Sequence, residues 1–271
     1  MNQLGNFKSA WLGPLALAAG GLCLGGAWLD PRQFAFSYLA AYLVFLSLAL
    51  GALFLVMMHH LFDTQWMVPL RRFWEHLAGL FPIFALLFIP IALNPLLAKG
   101  SQLLYSWAAA PSTLFRLPVF YAVSAVILGA WSWLGLSLRR ASLAQDVSGA
   151  AGATYYLRRL SAGGMAIYAI TVTLGAVYWM QSVDRPWFSS MYGVYYFAGS
   201  VWAAIAASYL LALVGQRCGP LRPVLKAAAF HDLGVLLLAF TIFYAYIAFS
   251  QYFLVWNANL PEETFWFAKR E

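Results

Sequence analysis

Apolar residues run almost unbroken along this chain, interrupted only by short clusters of charge, proline and glycine. Seven apolar runs fall near residues 10–29, 36–60, 77–94, 117–138, 164–181, 190–215 and 229–256. A bilayer core about 30 Å thick is crossed by about 20 helical residues, so the pattern predicts about seven transmembrane helices. The expected fold class is therefore all-α and polytopic. Composition sharpens this, because 63% of the 271 residues are hydrophobic and only 9% are charged, far from a soluble globular domain.

The first run follows Lys8 and is longer than the apolar core of a usual signal peptide, so it is expected as a retained helix. The segment 139–163 carries Arg139, Arg140, Ser148, Gly149, Gly152, Arg158 and Arg159 and reads as a cytoplasmic connection. It would divide a first transmembrane half, residues 1–138, from a second, residues 164–271. Pro82, Pro90 and Pro95 crowd the third run. Four helices before the divider and three after predict one four-helix bundle and an incomplete second one.

Charge gives the orientation. Ten basic residues lie on the N-terminal side (Lys8, Arg71, Arg72, Arg139, Arg140, Arg158, Arg159, Arg217, Arg222, Lys226), and six on the other (Arg32, Lys99, Arg116, Arg185, Lys269, Arg270). The positive-inside rule puts the N-terminus in the cytoplasm. The net charge of +7 then faces anionic lipid headgroups, and no nucleic-acid partner is expected.

The residues also limit the cofactors. Cys23 and Cys218 are the only cysteines, too few for an iron–sulfur cluster, and no Cys-x-x-Cys-His motif for covalent haem occurs. The four histidines, His59, His60, His76 and His231, fall at helix ends, which disfavours even a single haem between His59 or His60 and His231. No set of ligands has zinc spacing.

Polar groups within and beside the runs are candidate chemistry. His59, His60 and Asp63 end the second run and His231-Asp232 opens the last. Either set could exchange protons near neutral pH or simply complement a helix dipole. Arg71, Arg72 and Trp66 read as headgroup and interface anchors. In the last run Thr241, Tyr244, Ala248 and Gln251 recur at steps of three and four, so they share a face that must meet protein or water. Glu262 and Glu263 stand at its far end. The hairpin around Asp184-Arg185-Pro186 brings Trp187, Tyr192 and Tyr195, which suit an interfacial belt or a docking surface.

Three segments, LALGALFLVMMHHLFDTQWMVPLRRFWE, DRPWFSSMYGVYYFAGS and FHDLGVLLLAFTIFYAYIAFSQYFLVWNANLPEETFWF, resemble the second quinone-binding membrane subunit of quinol:cytochrome c oxidoreductase. This complex is also called alternative complex III, and the subunit belongs with the polysulfide-reductase-like membrane subunits. The resemblance covers most of residues 36–267 and is weak between 95 and 160. It implies a place in the bacterial inner membrane and two four-helix bundles, with two or three helices of the second absent from this chain, which would be either a fragment or a shortened form. It further implies no haem or cluster in the subunit itself, quinol or quinone as a possible ligand, and neighbours that bear haem c and iron–sulfur centres beside a second homologous membrane subunit. Where that family often has a Glu-Pro-His triplet, this chain has Asp184-Arg185-Pro186.

The expected function is thus a non-catalytic subunit of a quinol-oxidising respiratory complex. A proton path would run through His59, His60, Asp63, His231, Asp232, Tyr244, Gln251, Glu262 and Glu263, with Asp184, Arg185, Trp187, Tyr192 and Tyr195 as quinone or docking candidates. Two alternatives stay open, a purely structural anchor for peripheral subunits and a secondary transporter. The transporter would need matched helix breaks in both halves, whereas the proline cluster lies in one.

Overall fold

The computed structural model describes residues 12–97, 104–110, 112–149, 151–184, 187–217, 219 and 224–269. The described residues are helical and contain no strand. The α-helices are α1 (Leu12–Leu29), α2 (Pro31–Phe62), α3 (Arg71–Ala78), α4 (Phe81–Leu87), α5 (Ile89–Leu97), α6 (Leu117–Ser148), α7 (Ala151–Gly175), α8 (Tyr192–Arg217), α9 (Ala227–Ala258) and α10 (Pro261–Ala268). Six stretches are long and apolar enough to cross a membrane: α2, Arg71–Leu97, α6, Gly152–Val183, α8 and α9. The first predicted run corresponds to the shorter apolar helix α1.

Proline and cap chemistry mark the boundaries. Asp30 accepts from Gln33 N at 3.0 Å and Pro31 begins α2, where its missing N–H goes unneeded. Pro82 and Pro90 stand at the second positions of α4 and α5, and the third span is broken at Gly79-Leu80 and at Phe88. Residues 139–163, expected as a connection, are helix on both sides of a turn at Gly149 (φ 61°), whose N–H donates to Gln145 O at 2.8 Å. Their arginines ride on helices that continue past the apolar stretch.

The core is organised around α2, which packs against α1, α3, α7 and α8. From Ala49 to Met57 every residue but Phe54 is buried. Gly51 permits this, since a Cβ there would stand 2.3 Å from Ser200 O and 2.5 Å from Ala204 Cβ of α8. Past Gly175, α7 widens into a π-helical turn, Ala176–Met180. Hydroxyls reach carbonyls of this irregular turn, Tyr105 to Trp179 O at 3.3 Å and Ser182 to Tyr178 O at 2.5 Å.

The spans alternate in direction, so the bundle has two ends. At the histidine end α2, α6 and α8 finish, and at the aromatic end α7 and α9 finish and α8 begins.

Candidate functional site

At the histidine end, α2 stops on Asp63 in the left-handed region (φ 50°), its N–H donating to His59 O at 2.8 Å. The Asp63 carboxylate accepts from Arg158 Nη2 of α7 at 2.6 Å. The His59 and His60 rings are buried with centroids 5.3 Å apart, and His59 Nδ1 lies 3.1 Å from Thr64 O and 3.2 Å from Thr64 Oγ1. His59, His60 and Asp63 are therefore neighbours within one helix end, braced by α7.

Beside them is a carboxylate that was not singled out from the sequence. Glu75 of α3 is 1% exposed, accepts from Ser142 Oγ of α6 at 2.5 Å, and is paired with Arg72 and with Arg71 Nε at 3.5 Å. Arg72 also pairs with Asp146, and Arg71 Nη2 lies 3.1 Å from Asp146 Oδ1. Arg71 and Arg72, expected to hold lipid phosphates, thus turn toward protein carboxylates. The spacing explains it, because positions three and four residues apart share a helix face and put Glu75 beside both arginines. A buried carboxylate needs such partners to remain charged.

His231 and Asp232 lie at the start of α9 on its exposed side, 3.5 Å from each other. No described contact joins them to the His59–Glu75 cluster.

The aromatic end collects more of the candidates. Trp187 stacks on Trp266 of α10 with centroids 3.8 Å apart and meets Tyr192 edge-on at 5.3 Å. Tyr192 approaches Tyr195 at 6.2 Å, and Tyr195 stacks on Tyr244 of α9 at 4.7 Å, their hydroxyls hydrogen-bonded. Trp202 stacks on Tyr244 at 5.2 Å. Gln251 Nε2 donates to Ser189 Oγ at 3.1 Å, Gln181 Nε2 to Ser189 O at 2.6 Å, and Lys269 Nζ to Asp184 Oδ2 at 3.3 Å. Gln251, Glu263 and Trp187 line one small cavity of about 220 Å³. Arg185 lies outside the described residues, as does the side chain of Glu262.

Next to the phenol pair is a groove of about 390 Å³ between α2, α8 and α9, walled by Leu43, Val44, Met180, Tyr195, Tyr196 and Tyr244. Serine hydroxyls of Ser47 and Ser200 also reach its lining, and both donate to carbonyls of their own helix, at 2.7 Å in each case. Such a site offers flat aromatic faces, two hydroxyls and apolar walls. It suits an amphiphile with a planar polar head.

The polar stripe of α9 divides in two. Tyr244 and Gln251 face α8 and the hairpin, whereas Thr241 is exposed and donates to Leu237 O of its own helix at 2.7 Å. Asp232 and Tyr244 stand about 18 Å apart along α9 at 1.5 Å per residue. Leu233, Leu236, Leu237 and Phe240 occupy the inward positions between them. Along α9 the residues do not form a continuous hydrogen-bonded file.

Among the described residues, no group of three His, Cys, Asp or Glu side chains could hold a metal ion. The sequence matches no family model and no curated protein.

Proposed function

We propose that this chain is a membrane subunit, without a redox centre of its own, of a bacterial respiratory complex that oxidises quinol. In this reading the groove beside Tyr195 and Tyr244 receives the quinol ring, and the apolar walls take its tail. One observation carries the reading: two of the three segments on which the family resemblance rests, 184–200 and 230–267, are each other's packing partners. They meet through Trp187–Trp266, Tyr195–Tyr244 and Ser189–Gln251, and Asp184 pairs with Lys269 just past the second segment.

Electron transfer belongs to neighbours bearing haem c and iron–sulfur centres, and this chain supplies the ligand groove and part of the scaffold. Glu263 and Gln251 stand beyond the groove toward the aromatic end, where protons from quinol oxidation would leave. His59, His60 and Asp63 serve the opposite surface.

The test is purification of the affinity-tagged chain from its own membranes. Co-purification with haem c and iron–sulfur proteins, together with a raised quinol KM in a Tyr195→Phe/Tyr244→Phe variant of unchanged subunit composition, is expected. A chain that purifies alone contradicts the complex, and an unchanged KM contradicts the groove. The anchor reading has its own support in Phe188, 72% exposed at the tip of the hairpin. Loss of peripheral subunits in Phe188→Asp, with quinol KM unmoved by the tyrosine changes, would favour it.

A further inference from the structure

The histidine end carries an observation that neither the ion pairs nor the groove uses. Helices α2 and α7 run antiparallel in a register fixed by three contacts. Tyr168 OH donates to Leu50 O at 3.2 Å, a Cβ at Gly164 would touch Met57 Sδ at 2.8 Å, and Arg158 Nη2 donates to Asp63 at 2.6 Å. Between the second and third of these, the register places His60 opposite Ser161.

Both residues are buried, at 6% and 0% exposure, and His60 Nε2 and Ser161 Oγ have no hydrogen-bond partner among the described residues. Trp74 of α3, the helix that packs on α2 at this end, is also fully buried with its indole Nε1–H unpartnered. Among the described residues, Trp107 Nε1 and Arg139 Nε of α6 are likewise buried without a partner. The equally buried Trp131 and Trp179 give their N–H groups to Thr171 Oγ1 at 2.8 Å and Ser124 Oγ at 2.9 Å.

A buried polar group without a partner loses about 1–3 kcal/mol, and native proteins satisfy such groups with ordered water bonded to two to four polar atoms. We infer that an internal water site lies between α2, α3 and α7, held by His60 Nε2 and Ser161 Oγ with Trp74 Nε1 as a third partner. It is one turn inward from the Asp63–Arg158 pair and gives the buried His60 ring an exchangeable contact. This inference is independent of the quinol reading.

Hydroxyl-radical footprinting by X-ray pulses, read by mass spectrometry on the full chain in lipid nanodiscs, tests it, because radicals form from bound water where bulk water does not reach. His60 and Trp74 are expected to be oxidised severalfold faster than Trp131 and Trp179. Ser161→Val should lower the His60 rate severalfold and leave Trp131 unchanged, and Ser161→Ala, which keeps the fold with less bulk, should lower it in the same direction. Rates for His60 and Trp74 no higher than for Trp131, or a His60 rate unmoved by either substitution, would overturn the site.

Discussion

Helices α2 and α9 have the same length, 32 residues, and both are strongly apolar, yet they hold opposite positions. Of the residues in an apolar 18-residue stretch of each helix, 56% are buried in α2 and only 11% in α9. Apolarity alone does not place a helix, because lipid tails are as apolar as leucine and reward neither position. The distinction lies in how many neighbours surround each helix, since α2 packs against α1, α3, α7 and α8 and α9 chiefly against α8. In α2 the run Ala49-Leu50-Gly51-Ala52 lets α8 close on it, whereas α9 meets α8 and the hairpin through rings and two polar contacts.

This contrast can be broken most forcefully at Gly51. Gly51→Leu drives a side chain into the Ser200 backbone, and a loss of about 3 kcal/mol or more is expected. The matched Gly234→Leu in α9, where nothing lies within 4 Å of a Cβ, should leave the thermal midpoint in detergent unchanged. Next in size is Glu75→Ala. It strips the buried partner from Arg71 and Arg72 and should cost about 3 kcal/mol by denaturant titration, with α3 losing protection from hydrogen exchange before α9 does.

A smaller effect is expected on the α9 side. Tyr244→Phe removes one hydroxyl contact with Tyr195 and keeps the stacking, so about 1 kcal/mol should be lost, confined in exchange experiments to α9 and the hairpin. Smallest is Asp184→Asn. Its partner Lys269 is largely exposed, and a change below about 1 kcal/mol, weakening in high salt, is expected in the thermal midpoint.

The same contrast shows what hydropathy could convey. Six of the spans are where apolar runs predict helices, and the proline cluster does break the third. The start of α7 at Ala151 was hidden because Arg158 and Arg159 look like loop charges, although helices commonly extend past the hydrocarbon and carry such residues outside it. On α9 the spacing of Tyr244 and Gln251 did indicate a shared, protein-facing side. Thr241 shares that spacing but turns out exposed, since a threonine hydroxyl can bond its own helix's carbonyl four residues back. Glu75 was the clearest omission. Its local signal, an acid three and four residues after two arginines, was present, but Asp146 lies 74 positions from Arg72, a pairing only the fold reveals.

Disulfide trapping measures the central claim, that α9 is a peripheral helix held along one seam, most directly. In a background with Cys23 and Cys218 replaced by serine, Tyr195→Cys/Tyr244→Cys should cross-link rapidly on mild oxidation in membranes. Tyr195→Cys/Tyr246→Cys, which moves the second cysteine to the exposed side of α9, should not. Equal cross-linking of the two pairs, or of neither, would contradict the seam and the groove built on it.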